Sequence, residues 1–225
     1  MKRFWFVLAA LLGLAVQAVP ASADMVYTLN CNGAPCTGGA AGHNYGTVTL
    51  QTVSSTKVRV IVDLAAPGAA ANEKFASSAA GYAIAWDITG DPALTNVTIN
   101  SATPNASHFS VQSFAAGGNY KASPFTSGAN GNGFNYAIDH TSGADTKLVF
   151  DVTLSTGLAL GNFIKNPNYF FAVDISISGN TFNVAANQPG VKVPEPGTWT
   201  LSIAGMAGLA GLVMLQRRRK WARVA

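Results

Sequence analysis

The sequence has few charged residues: 11% of its 225 residues are charged, whereas Gly, Ser, Thr and Asn are abundant. The formal net charge of +4 comes from the two ends of the chain. Between them, residues 24–192 carry seven Lys and Arg and nine acidic residues, a net charge near −2. A basic surface for binding nucleic acid is therefore unsupported. This composition is typical of a neutral exported domain whose surface is made mainly of hydrogen-bonding groups.

Residues typical of catalytic and metal sites are also scarce. The three histidines, His43, His108 and His140, are far apart and lack metal-ligand spacing. Each is near a turn, so we expect surface or loop positions for them and no metal site. The sequence contains no Gly-x-Ser-x-Gly or Walker-type loop. We therefore predict no catalytic residues, no cofactor and no enzymatic activity.

Three pairs of carboxylates could in principle flank a glycosidic bond, because glycosidases need two such groups about 5–10 Å apart. Sequence alone cannot place them in space. On alternating strands, Asp151 and Asp174 are expected to face outward into solvent. The pairs considered are Asp87 with Asp91, Asp139 with Asp145, and Asp151 with Asp174.

Only two cysteines are present, Cys31 and Cys36. Outside the cytoplasm, two cysteines this close together favour a local disulfide around the intervening Gly33–Pro35 turn. A metal site would need two further ligands, and only His43 is near in sequence. We predict a structural disulfide.

A long helical period is also missing between the two ends, where apolar residues instead alternate with polar ones, as in half-buried strands. The segment 57–64 is an example, with valines and a leucine on one face and Lys57, Arg59 and Asp63 on the other. We expect it to form a hairpin with the strand before it. The predicted strands are 46–53, 57–64, 82–88, 94–100, 109–114, 134–138, 147–154, 169–177 and 181–185.

Eight or nine short strands joined by Gly, Asn and Pro loops predict an all-β fold: a single antiparallel β-sandwich of the Greek-key or jelly-roll type. A small barrel is the alternative. The domain should span residues 24–186, with Trp86 in its core. The longest loop, residues 117–133, is rich in Gly and Asn and should be exposed. Residues 187–197 are expected to be a linker.

The N-terminus has the pattern of a secretory signal peptide. Lys2 and Arg3 precede an apolar run over residues 4–16, and small residues follow at 21–23. This order predicts cleavage between Ala23 and Asp24, which would remove residues 1–23.

The C-terminus predicts a membrane span. Residues 198–216 are uncharged, and a helix of this length is roughly 28 Å long, close to the hydrocarbon thickness of a bilayer. Trp199 would lie at the interface. A basic cluster then predicts that residues 217–225 are a cytoplasmic tail that stops transfer. The cluster consists of Arg217, Arg218, Arg219 and Lys220.

Just before this span, residues 193–197 read Val-Pro-Glu-Pro-Gly. The two prolines hold the chain extended, the conformation in which proteases bind peptides. This box, the short apolar helix and the basic cluster together resemble the PEP-CTERM sorting signal, over about residues 193–220. The resemblance implies that an exosortase, an integral-membrane protease, recognises the box and removes the helix. The recognition residues would be Pro194, Glu195 and Pro196.

The same resemblance implies export to the surface or extracellular matrix of a Gram-negative bacterium that makes exopolysaccharide. The inner membrane would hold the protein only transiently, and the mature domain would act structurally or adhesively in exopolysaccharide or biofilm. A plain C-terminal anchor remains an alternative. So does a carbohydrate-binding module, with Asn119 and Tyr120 in the long loop as glycan contacts, or, third, a secreted glycan hydrolase.

Overall fold

A computed structural model of the chain describes residues 23–32, 43–69, 73–77, 82–113, 115–121, 133–164 and 168–193, together with Gly205 and Gly208. Asp24–Lys192 form one compact unit, and residues 1–23 and 193–225 are grouped as another. Gly205 and Gly208 are helical. Within the described residues no helix is long and apolar enough to cross a membrane. The predicted span at residues 198–216 lies outside them apart from these two glycines.

The secondary structure of the described part is mostly β. It forms two short 3-10 helices, Ala106–His108 and Leu160–Asn162, and thirteen strands. In chain order the strands are β1 (Asp24–Thr28), β2 (Cys31–Asn32), β3 (Thr47–Ser54), β4 (Lys57–Asp63), β5 (Glu73–Phe75), β6 (Ile84–Trp86), β7 (Asn96–Ile99), β8 (Phe109–Ser113), β9 (Tyr136–His140), β10 (Lys147–Thr153), β11 (Phe171–Ile177), β12 (Asn180–Ala186) and β13 (Val191–Val193).

The strands form two antiparallel sheets. Sheet A has the order β13-β1-β3-β4-β10-β7, and sheet B has the order β2-β12-β11-β6-β9-β8, with β5 also paired to β11. The predicted hairpin of β3 and β4 is confirmed: Leu50 lies opposite Val60. In β4 every second residue is buried, which is the period that the sequence shows. The all-β, antiparallel class is therefore confirmed.

Residues from both sheets share one hydrophobic cluster. Val58, Val60 and Val62 of sheet A belong to it together with Trp86 and Phe171 of sheet B. The Trp86 and Phe150 rings join the sheets directly, with their centroids 5.1 Å apart. Trp86 is fully buried, as predicted. The main core therefore lies between the two sheets.

Sheet B is buried on its second face as well. A smaller cluster there contains Ala85, Phe134, Ala137, Tyr169 and Ala172, among others. As a result β11 is buried from Phe171 to Ser176, with both faces covered. The expectation that Asp174 faces solvent is wrong, since this residue is only 3% exposed.

Strands β5 and β6 are two pieces of one interrupted strand beside β11. Phe75 lies opposite Ile175, and Trp86 lies opposite Phe171. Between these pieces, the N–H of Ala76 donates to the carbonyl of Asp174, whose own N–H donates to Tyr82. The chain thus leaves the strand after Ala76 and returns at Tyr82. This break exposes backbone groups of Ala76 to side chains from neighbouring strands.

The hairpin of β11 and β12 turns at Ser178 and Gly179, which have φ of 52° and 86°. Two positive φ values match the twist of a two-residue hairpin turn. The sequence predicts this hairpin, with the turn one residue longer at 178–180. Four short strands were not predicted, namely β1, β2, β5 and β13. The last of these lies within the predicted linker at residues 187–197, so that segment contains an edge strand of sheet A.

Phe150→Ala should lower the free energy of unfolding by about 3–5 kcal/mol, because the ring is fully buried between the sheets and its loss leaves a cavity. Urea denaturation followed by circular dichroism measures this. Val53→Ala, at a 47% exposed position in β3, is the control and should change stability by less than about 0.5 kcal/mol. Equal effects of the two substitutions would contradict a core between the sheets.

Candidate functional site

The residues of the predicted sorting signal lie outside the described part of the chain. This holds for the box, Pro194, Glu195 and Pro196, and for the basic cluster at residues 217–220. At the predicted signal cleavage position, Asp24 begins β1, and its carboxylate accepts a hydrogen bond of 2.8 Å from Gln51 in β3. Residue 24 is therefore part of the sheet. The edge strand β13 ends at Val193, directly before the box.

Cys31 is fully buried in β2, opposite Ala185 of β12. Its predicted disulfide partner, Cys36, lies outside the described residues. The disulfide therefore stays a prediction. The position of Cys31 at the edge of sheet B means that the bond would fasten the chain just after it to that edge.

The candidate glycan contacts, Asn119 and Tyr120, stand at the base of the long loop. Tyr120 and Phe134 form a bridge with hydrogen bonds of 2.8 and 2.9 Å, and the Asn119 side chain accepts from the N–H of Gly133. The Tyr120 ring packs edge-on against Tyr82 at 5.3 Å. Both rings are half-buried, and within the described residues the exposed large hydrophobic side chains are valines. Asn119 and Tyr120 thus close the base of the loop, and their contact with a glycan stays a prediction.

The first carboxylate pair surrounds a tyrosine. Asp87 is buried and accepts a 2.7 Å hydrogen bond from the N–H of Asn135. Asp91, with φ of 46°, accepts from the Tyr136 hydroxyl at 3.2 Å and from the N–H of Gly117 at 2.6 Å. Burial, followed by the charge of Asp91, raises the pKa of Tyr136. Both carboxylates therefore hold backbone and side-chain donors of the fold.

The members of the other two pairs are also engaged with different partners. Asp151 forms a two-point ion pair with Arg59 across β4 and β10, at 2.8 and 3.2 Å. Asp174 is buried in sheet B. Asp139 accepts from Gln112, and burial raises the pKa of Asp139. Arg59 and Gln112 thus hold Asp151 and Asp139 by direct side-chain contacts.

Two histidines and an aspartate form the one group in the described residues that could hold a metal ion. Nδ1 of His108 lies 2.7 Å from Oδ2 of Asp145, and Nε2 of His140 lies 2.9 Å from the same oxygen. The second oxygen, Oδ1, accepts a 2.8 Å hydrogen bond from Asn105. We call His108, His140 and Asp145 the histidine–aspartate cluster.

Local structure explains how the cluster forms. His108 ends the first 3-10 helix, and the next residue, Phe109, pairs with His140 across β8 and β9. Asp145 reaches them from the segment before β10. Gly143, with φ of +96°, passes so close that a Cβ there would lie 2.5 Å from Nδ1 of His108. Only glycine fits this approach.

The cluster is largely sealed from water. The side chain of His140 is 0% exposed, that of Asp145 3%, and that of His108 31%. Burial would raise the pKa of Asp145, but hydrogen bonds from Asn105, His140 and His108 outweigh it and hold the pKa below its ordinary value. Asp145 is therefore a carboxylate anion with two imidazoles against it.

Sequence reasoning missed this cluster. The expectation of a surface or loop position is wrong for His140, which lies in β9 and is buried, whereas His43 is exposed. The predicted strands at 109–114 and 134–138 end close to His108 and His140. Pairing these strands antiparallel would have brought the two histidines together, but their register cannot be read from the sequence.

No protein-family model, curated protein or solved structure matches the chain.

Tyr136→Phe should lower the free energy of unfolding by about 1–2 kcal/mol at neutral pH, because the carbonyl of Pro92 and the carboxylate of Asp91 lose the hydroxyl that donates to them. The raised pKa of Tyr136 means that the folded state keeps the phenol neutral. Its contribution is present below the ordinary pKa of 10.0 and is lost as the pH rises through the folded pKa. Between about pH 8 and about pH 11, the wild type should therefore lose more stability than the variant.

The control is Tyr45→Phe, which removes only a 3.3 Å contact from Asn32. Urea denaturation at both pH values measures the free energy of unfolding of the wild type and of the two variants. A wild type and Tyr136→Phe that lose stability in parallel would contradict the raised pKa of the buried Tyr136 hydroxyl.

Proposed function

We propose that this chain is an exported protein that is sorted to the cell surface or extracellular matrix by an exosortase-like membrane protease. The observation that carries the proposal is the order of three features: the Pro-Glu-Pro box at 194–196, the uncharged run after it and the basic cluster at 217–220. A signal peptide over residues 1–23 would start export, and the basic cluster would stop it.

The position of the fold next to the box supports processing. The compact unit ends at Lys192, and β13 at Val193. Cleavage at the box would therefore remove none of the strands of sheets A and B. The sequence after β13 predicts that Pro194 and Pro196 hold the following segment extended. A membrane protease would thus meet an extended peptide directly after the folded unit.

For the mature unit we propose a non-enzymatic β-sandwich of the Greek-key or jelly-roll type with a structural or adhesive role in exopolysaccharide or biofilm. The shared core of the two sheets and the repeated passage of the chain between them support a sandwich. Its exposed side chains include many hydroxyls and amides, for example Asn96 and Thr98 of β7. Such groups can hydrogen-bond to a hydrated polysaccharide without depending on charge.

Substituting Pro194 and Pro196 by Ala should block processing, because the box would no longer be held extended. The test is mass spectrometry of the C-terminal peptide, on membrane and extracellular fractions of the native host. The wild type should end near residues 194–197 outside the membrane, and the variant at Ala225 in the membrane. Pro189→Ala, at an exposed proline five residues earlier, is the matched control and should be processed normally. A wild-type chain that keeps Ala225 would make this an anchored protein and refute sorting.

Cys36→Ser should lower the free energy of unfolding by about 2 kcal/mol, the contribution expected for a disulfide that closes a short loop. Cys36 is the better target, because Cys31 is fully buried and a hydroxyl there would itself disturb the core. Dithiothreitol should destabilise the exported wild type to the same extent and leave the variant unchanged. Two free thiols in the exported protein would contradict the disulfide.

A further inference from the structure

The histidine–aspartate cluster has the ligands of a transition-metal site. Each of its three residues offers one ligand atom, and these atoms lie within 4.8 Å of one another. Two imidazole nitrogens and one carboxylate oxygen suit Zn²⁺, which takes such ligands in tetrahedral geometry. Three protein ligands leave a fourth position for water. His108, the partly exposed member, marks the side from which water and the ion would enter.

The surrounding hydrogen bonds orient the ligand atoms. Nδ1 of His140 lies 3.1 Å from the carbonyl of Ala76, at the break between β5 and β6. Because a carbonyl only accepts, this nitrogen carries a proton, and Nε2 is left to face Asp145. The Asn105 side chain donates to Oδ1 of Asp145 and so leaves Oδ2 to face the two histidines. Partners of this kind, which fix the tautomer of a histidine and the orientation of a carboxylate, are typical of metal ligands.

The geometry around Asp145 suits a shared cation. Nε2 of the fully buried His140 and Nδ1 of His108 both lie within 3 Å of the same carboxylate oxygen. A metal ion between these three atoms would take one ligand from each residue.

Aromatic rings and a glycine pack closely around the histidine–aspartate cluster. The Phe109 and Phe75 rings lie 5.0 and 5.8 Å from the His140 ring and shield it from water. Gly143 approaches His108 and Asp145 closely, as described above. With metal–nitrogen bonds of about 2.0 Å, tetrahedral ligand atoms stand about 3.3 Å apart. The observed 2.7 and 2.9 Å separations would therefore widen by about half an ångström, a shift shared by the partly exposed His108 and by Asp145, which lies outside the strands.

We propose that His108, His140 and Asp145 bind one Zn²⁺-class ion that fastens the β8–β9 pair to the segment before β10. The site is independent of the sorting signal. The ion would fasten the paired strands β8 and β9 to the segment before β10, whose Asp145 already contacts both histidines.

The test is isothermal titration calorimetry of the untagged full-length protein with ZnCl₂ after treatment with EDTA. The wild type should bind one Zn²⁺ per chain and melt at a higher temperature with Zn²⁺ than without it. Co²⁺ in place of Zn²⁺ should give the visible absorption of a tetrahedral site. His43→Ala, which alters the exposed histidine outside the cluster, is the matched control and should bind as the wild type does.

His108→Ala should weaken Zn²⁺ binding by more than about 100-fold, and Asn105→Ala, which alters a positioning residue, by about 10–100-fold. Because His108 is partly exposed, its variant should still fold, and the melting of the metal-free protein checks this. The proposal is overturned if the wild type binds no Zn²⁺, or if His108→Ala binds it as tightly as His43→Ala does. Either result would make the cluster a hydrogen-bonded ion pair.

Discussion

Strand β11 is buried on both of its faces, and the arrangement of sheet B follows from this burial. One face of this strand, with Phe171, Val173 and Ile175, closes the core between the two sheets, and the other, at Ala172, belongs to the smaller cluster. A strand covered on both faces must satisfy its backbone completely within the sheet. Strand β12 does this on one side, and the interrupted strand formed by β5 and β6 does it on the other.

The break in that interrupted strand links the fold to the histidine–aspartate cluster. Where the chain departs after Ala76, its N–H still bonds to Asp174 of β11, and its carbonyl turns to His140 of β9. The N–H of Phe75 bonds to the carbonyl of Asp145, the carboxylate that both histidines contact. The bond between Ala76 and β11 thus fixes the position of the Ala76 carbonyl, which accepts from Nδ1 of His140 and so sets the tautomer of this histidine. Any role of the cluster follows from this irregularity in sheet B.

The sequence predicted the regular part of the fold well, because alternation survives where only one face of a strand is buried. Strand β4 shows this alternation, and its hairpin with β3 was predicted with nearly correct bounds. Strand β11 also alternates, yet Asp174 and Ser176, on the face that the pattern assigns to solvent, are buried. A second core built from alanines and from aromatic residues at strand ends leaves too weak a periodic pattern to be detected in advance. Strands β2, β5 and β13 were not predicted for a related reason, since two or three residues are too few to show a period.

The sorting signal could be predicted from the sequence and the histidine–aspartate cluster could not, and the reason is again physical. A membrane span, a proline-fixed box and a run of basic residues are properties of contiguous sequence, so they can be predicted without a fold. The cluster depends on the register of β8 against β9 and on a close approach by Gly143, and 37 residues separate its most distant members, His108 and Asp145. Only long-range pairing brings them together. Because the box begins after β13, release of the chain there would leave every contact of the cluster intact, so the two features can act in one mature protein without competing for the same residues.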